Sequence, residues 1–172
     1  PKPPSFDELY NKYKKEKNYI KAIALVENEN KSEKSIIKKL KNKKKLSDLY
    51  YSYGNEFLKK KDIKGTKTYF EKTSIVPNSQ QCEDAHYILG QLEYSNGNYQ
   101  RAIDYFKKVL NNYKYMNAKN YDNDDEAMFK IIACLIKTNK IDNAKELLKS
   151  FSKTYPNSSL NEKVKLLLEK LE

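Results

Sequence analysis

Tryptophan is absent, arginine occurs once, at Arg101, and the 172 residues include only 4 Gly and 5 Pro. So few turn-formers cannot supply the many hairpins of an all-β sandwich, which leaves helix as the default. Two cysteines cannot build a disulfide framework, and their separation is not that of a zinc site. The longest wholly apolar run, Ile131–Ile136, has six residues, far short of the roughly 20 that a membrane-spanning helix needs. The scarcity of arginine also bears on partners. A net charge of +11 invites a nucleic-acid or anionic-membrane reading, but chains that read phosphates and bases normally keep bidentate arginines. Lysine, asparagine, isoleucine and tyrosine share AT-rich codons, so part of the lysine excess is compositional.

What the chain does have is helical spacing. Pro1, Pro3 and Pro4 form a stiff lead-in over 1–4 that cannot be helical. From Ser5 onward apolar residues recur at three and four, broken only briefly at Glu16–Asn18, Lys61–Asp62, Asn96–Asn98 and Asn139–Lys140. This predicts antiparallel helix pairs with tight turns. The helices are expected near 5–16, 19–29, 33–43, 47–60, 63–75, 80–96, 99–113, 124–138, 141–154 and 158–171.

The chain also repeats itself. The set Leu89-Gly90, Gly97, Tyr99, Ala102, Phe106, Val109 recurs 42 residues later as Ile131-Ile132, Asn139, Ile141, Ala144, Leu148, Phe151, with Pro156 closing the unit. Thirty-six residues earlier it reads Tyr53-Gly54, Lys61, Ile63, Thr66, Phe70, Thr73, closed by Pro77. A poorer copy runs through Leu9, Tyr13, Tyr19, Ala22 and Val26. These residues resemble the tetratricopeptide repeat, a helix-turn-helix unit of 34 residues. Gly54 and Gly90 then stand where the second helix crosses the first, Ala102 and Ala144 face them, and Phe70, Phe106 and Leu148 fill the wedge between units. The resemblance implies an all-α fold: antiparallel helix-turn-helix repeats stacked as a right-handed superhelix. It covers 47–156 well, as units 47–80, 83–116 and 125–158, and the weakly similar, lysine-rich helices of 5–46 poorly.

Two departures stand out. Ile132 occupies a small-residue position, so the third pair is expected either to splay or to rotate Ala133 into the seam. The spacing between the second and third units exceeds the 34-residue repeat by eight residues, an insertion at 114–124 whose Tyr115, Met116 and Tyr121 make a possible second contact loop. At the end, 158–172 reads as a capping helix, with Ser158 or Ser159 at its start and Leu160, Val164, Leu167, Leu168 and Leu171 on one face.

Nothing in the sequence assembles a catalytic constellation, so no enzyme activity, cofactor or metal site is expected. The lone histidine, His86, falls where large residues pack in such repeats. Cys82 and Cys134 fall at different heights on parallel first helices, roughly 15 Å apart along the axis at 1.5 Å per residue, which predicts two free thiols. The acidic group Asp122, Asp124, Asp125 and Glu126 lacks the spacing of a calcium loop and reads as a helix cap.

First helices line the inner groove of tetratricopeptide arrays. The resemblance therefore implies a partner-binding groove of Tyr51, Asn55 and Leu58, then Tyr87, Gln91 and Tyr94, then Phe129, Ala133 and Ile136. The aromatic repeated at Tyr51, Tyr87 and Phe129 suits peptide docking. The expected function is a non-enzymatic scaffold or adaptor that binds a peptide segment or helix of another protein. Nucleic acid and small molecules are not expected partners.

The alternative reading uses charge. Residues 1–80 carry 20 Lys against 10 acids, and 81–172 are nearly balanced. Lys38, Lys39, Lys41, Lys43, Lys44 and Lys45 form a basic patch for an anionic membrane or nucleic-acid backbone. The bland counterpart is a solvated face with Ile36, Ile37 and Leu40 turned inward beneath the lysines. Residues 85–110, with Tyr113 and Pro156, are further similar to bacterial envelope members of the family: the Tol-Pal and cell-division accessory type, and the repeat lipoprotein of the outer-membrane β-barrel assembly machine. That resemblance implies a periplasmic or membrane-anchored protein with its signal or anchor segment missing from this chain.

Overall fold

Four chain reversals share one geometry and set the architecture. In each, a single residue has positive φ: Lys17 at 54°, Lys61 at 57°, Gly97 at 76° and Asn139 at 56°. The next residue returns its N–H to a carbonyl five positions back, Asn18 to Tyr13 (2.8 Å), Asp62 to Phe57 (2.9 Å), Asn98 to Glu93 (2.9 Å) and Lys140 to Leu135 (2.8 Å). This is the left-handed helix stop that satisfies the last carbonyls. The residue that closes one helix then opens the next, since Asn18 Oδ1 accepts from Lys21 N–H at 3.3 Å and Asp62 Oδ1 from Gly65 N–H at 2.9 Å.

The computed structural model describes residues 2–77, 79–111 and 124–171. They form α1 (Phe6–Lys15), α2 (Tyr19–Ser32), α3 (Ile36–Lys59), α4 (Ile63–Thr73), α5 (Gln80–Ser95), α6 (Tyr99–Asn111), α7 (Asp124–Lys137), α8 (Ile141–Thr154) and α9 (Asn161–Leu171). The chain divides into two compact units, Pro1–Ala85 and His86–Glu172, with the boundary inside α5. Among the described residues the fold is all-helical and built of tetratricopeptide-like hairpins, as the residues imply. The insertion, with Tyr115, Met116 and Tyr121, lies outside the described residues, as does Asp122.

In the first unit α1 pairs with α2, α2 with α3, and α3 with α4. Tyr10, Ala22, Ile23, Val26, Leu46, Leu49 and Tyr50 make its core. Two expectations fail here. The helices expected at 33–43 and 47–60 are one rod, α3, because Lys41 to Leu46 contain no glycine or proline to stop propagation. Asn42, Leu46, Leu49 and Tyr50 also fall on one buried face, so packing runs through the junction. The expected inward stripe is turned outward: Ile36, Ile37 and Leu40 are 76%, 67% and 60% exposed.

In the second unit one core joins Tyr87, Ala102, Phe106 and Val109 to Ala127, Ile131 and Cys134, and another joins Ile132, Ala144, Leu148 and Phe151 to Val164 of α9. Leu160, Leu167, Leu168 and Leu171 pack on the latter, so α9 covers the last hairpin as expected of a cap. It starts three residues later than its sequence suggests, behind Ser158, whose hydroxyl accepts from Leu160 N–H at 3.1 Å and donates to Asp125.

Each hairpin buries one residue pair seven before and nine after its positive-φ residue: Tyr10 with Val26, Gly54 with Phe70, Gly90 with Phe106, Ile132 with Leu148. A β-carbon on Gly54 would lie 2.7 Å from Phe70, and one on Gly90 2.7 Å from Phe106. Ala22, Thr66, Ala102 and Ala144, five after the turn, are all fully buried. Gly65 is no part of the repeat pattern, yet a β-carbon there would clash with the Phe57 ring. The α7–α8 hairpin resolves its irregularity without recruiting Ala133, which stays half-buried. Ile132 occupies the seam itself and the facing residue shrinks from Phe to Leu, so bulk moves across the seam while both sides remain filled.

Candidate protein-interaction surface

The nine residues assigned to a groove occupy three rows on the first helices, ten, six and three positions before the turn. In the row at ten Tyr87 is buried, and Tyr51 and Phe129 are half-buried. The Tyr51 ring lies on Phe70 at 5.7 Å between centroids, and its hydroxyl donates to Asp84 Oδ2 at 3.0 Å. Tyr87 is only 8% exposed, its ring lies 5.7 Å from Phe106, and its hydroxyl donates to Glu126. Burial, reinforced by the acceptor carboxylate, raises the pKa of both tyrosines. Phe129 packs partly buried on the core beneath α9, with Lys163 Nζ 4.9 Å from its centroid. The expected aromatic docking stripe is therefore corrected for Tyr87, whose ring is spent within the protein, and narrowed for Tyr51 and Phe129.

These contacts form a ladder that the sequence reading missed. Asp84 and Glu126 both stand thirteen residues before their own turns, as does Asp48 one repeat earlier. A tyrosine in one first helix thus donates to a carboxylate in the first helix of the next hairpin. At the equivalent position Phe129 lacks the hydroxyl, and the helix after its hairpin is α9. The signal was present as an acid at a fixed repeat position paired with a tyrosine three residues later.

The other two rows remain at the surface. In the first unit Asn55 and Leu58 are half-buried, and Asn55 Nδ2 donates to Tyr51 O at 3.0 Å. In the second unit Gln91, Tyr94, Ala133 and Ile136 are half-buried. Tyr94 meets Tyr99 edge-on at 5.4 Å, and Lys130 Nζ lies 5.4 Å from its ring centroid. Tyr94 and Lys130 bring α5 and α7 side by side and present apolar surface next to a cation, a mixture suited to a polypeptide.

The remaining candidates are structural. His86 is buried against Tyr105, and burial with nearby Lys108 lowers its pKa to about 4. Cys82 and Cys134 are both buried. Burial pushes the Cys134 thiol up to about 11, which makes it unreactive at neutral pH. Asp124, Asp125 and Glu126 form the first turn of α7, where Asp125 Oδ1 accepts from Glu126 N–H at 2.8 Å. Burial and Asp125 raise the Asp124 carboxyl to about 6.

Two segments of the chain match known repeats. Residues 83–115 and 126–158 each match a family model described as tetratricopeptide repeat. The matches fall on the two hairpins that supply Tyr87–Tyr94 and Phe129–Ile136. Among solved structures it is similar to the N-terminal domain of stress-induced protein-1 (STI-1) from C. elegans, with a TM-score of 0.62 and 16% identity, covering 73% of this chain and 96% of that one. It is also similar, at a TM-score of 0.48 and 12% identity, to a crystal structure of nearly identical TPR-like repeats from a Podospora anserina kinesin light chain, covering 96% of this chain and 91% of that one. No curated protein matches the sequence significantly.

Proposed function

We propose that this protein is a non-enzymatic scaffold that holds a segment of another protein on its first helices. The observation that carries the reading is the pair of matched repeats, whose first helices keep Gln91, Tyr94, Ala133 and Ile136 at the surface beside Lys130. With the Tyr87 ring committed to the interior, these residues become the contact row in the second unit, and Asn55 and Leu58 its counterpart in the first. An apolar row with one cation beside it favours a helical or extended segment that offers aliphatic side chains and an acid.

A photo-crosslinking side chain installed at Tyr94 or Ile136 tests this in the native cell. The expected result is one discrete adduct from either position and none from Lys149, on the other helix of the hairpin. Equal labelling at all three positions, or none at Tyr94 and Ile136, overturns the reading. The cell-envelope location belongs to the same proposal and rests on the likeness of residues 85–110 to envelope repeat proteins. Fractionation of the source cell checks it, and recovery in the cytosol alone removes it.

A further inference from the structure

The first three turns of α3 carry an apolar crest that is left uncovered. At 100° per residue Ile36, Leu40 and Ile37 share a sector of about 100°, and Asn42 and Leu46, the buried residues of the same turns, lie roughly opposite. Further along α3 the crest's side is covered by α4. Ser47 donates from Oγ to the Thr73 carbonyl at 2.8 Å, so α4 ends level with Ser47 and everything before it overhangs.

Lysines flank the crest on both sides, Lys39 and Lys43 on one and Lys38 and Lys41 on the other, with Lys44 continuing it. No acid occurs from 34 to 47. Lys38 pairs with Glu33 at 3.4 Å and Lys45 with Asp7 at 3.2 Å. Among the described residues Lys39, Lys41, Lys43 and Lys44 are exposed without an ion pair. They crowd the helix end whose dipole is also positive, and α3 has no acid in its first turn to offset either. Among the described residues the segment thus lacks counter-charge and apolar cover together.

Shape selects the partner. A bound peptide would meet a single convex helix along one line of contact and leave at least one lysine flank unpaired. A nucleic-acid backbone supplies charge but no apolar medium for the crest. A planar lipid interface meets the crest and both lysine flanks at once. We propose that residues 36–45 dock this protein on an anionic lipid surface, with Ile36, Ile37 and Leu40 at the headgroup–acyl boundary and Lys39, Lys41, Lys43 and Lys44 on lipid phosphates. The proposal is independent of the peptide-binding rows on the first helices.

Flotation of the full chain with phosphatidylcholine vesicles, with and without phosphatidylglycerol, tests it. Expected is capture by the phosphatidylglycerol vesicles alone, weakening with salt and falling at least about tenfold for the Ile37→Ser, Leu40→Ser variant, whose charge is unchanged. The same variant keeps its circular dichroism and melting temperature, since both side chains are exposed. Absence of flotation, or flotation that the serine variant leaves unaltered, overturns the proposal. So does crest-dependent binding of a polyglutamate peptide or duplex DNA without vesicle capture.

Discussion

Gly90 stands so close to Phe106 that a β-carbon added to it would lie 2.7 Å from the ring, while the equivalent pair one repeat on, Ile132 and Leu148, places the bulk on the opposite helix. The two seams are alternative solutions to one packing problem, and they predict coupling. Gly90→Ala alone should cost about 1–3 kcal/mol by overpacking. Combined with Phe106→Leu, which makes room, it should cost less than the two single changes added together, by at least about 0.5 kcal/mol. Urea denaturation of the four proteins measures this; strict additivity would contradict the seam.

The turns predict gains as well as losses. Lys17 and Lys61 hold the left-handed conformation that glycine holds at Gly97, at a cost of roughly 1 kcal/mol each. Lys61→Gly should therefore be neutral or stabilising by up to about 1 kcal/mol, and Gly97→Ala destabilising by about 1 kcal/mol. Lys140 opens α8 without a side-chain cap, where Asn18 and Asp62 supply one at the same place in their hairpins. Lys140→Asp should add about 1 kcal/mol. Thermal melting of the three variants is the check.

Most of this architecture was legible in the sequence because small residues at a fixed spacing have one mechanical use in paired helices. Gly54, Gly90, Ala102 and Ala144 are all buried in hairpin seams. Two readings misled. The apolar spacing divided α3 in two, although Lys41–Leu46 contains no residue that stops a helix. The repeat placed Tyr87 at a surface, because a repeated aromatic is equally consistent with docking a ligand and with tying neighbouring hairpins. Only the position of Glu126 on the next first helix decides between them, and a single repeat does not contain that information.

The tyrosine–carboxylate ladder is testable by removing one oxygen at a time. Tyr51→Phe and Tyr87→Phe should each cost about 1 kcal/mol, because each removes a hydrogen bond to a charged acceptor and leaves the ring packing in place. Phe129→Tyr, whose ring packs beneath α9 beside Lys163, should change stability by less than about 0.5 kcal/mol. Denaturant midpoints separate the cases, and three equal effects would show that the hydroxyls do not tie successive hairpins.

The second unit should show two opposing acid transitions. His86 titrates near 4 when folded against 6.5 for the unperturbed side chain, because burial and Lys108 disfavour its charged form. Between those values the unfolded chain binds more protons, so this contribution is complete above about 6.5 and is lost as pH falls toward 4. Asp124 behaves oppositely. Burial and Asp125 raise it from 3.8 to about 6, so the folded chain binds more protons, and its contribution is complete below 3.8 and lost as pH rises through 6. The wild-type advantage over His86→Gln should therefore shrink by about 2 kcal/mol between roughly pH 7 and pH 4.5. Asp124→Asn should be more stable than wild type at about pH 7, by no more than about 1 kcal/mol given the solvent reaching that carboxyl, with the gain vanishing near pH 4. Denaturation of both variants across this range reads the two slopes separately. A His86→Gln difference that does not vary with pH would mean that the ring already accepts its proton in the folded unit.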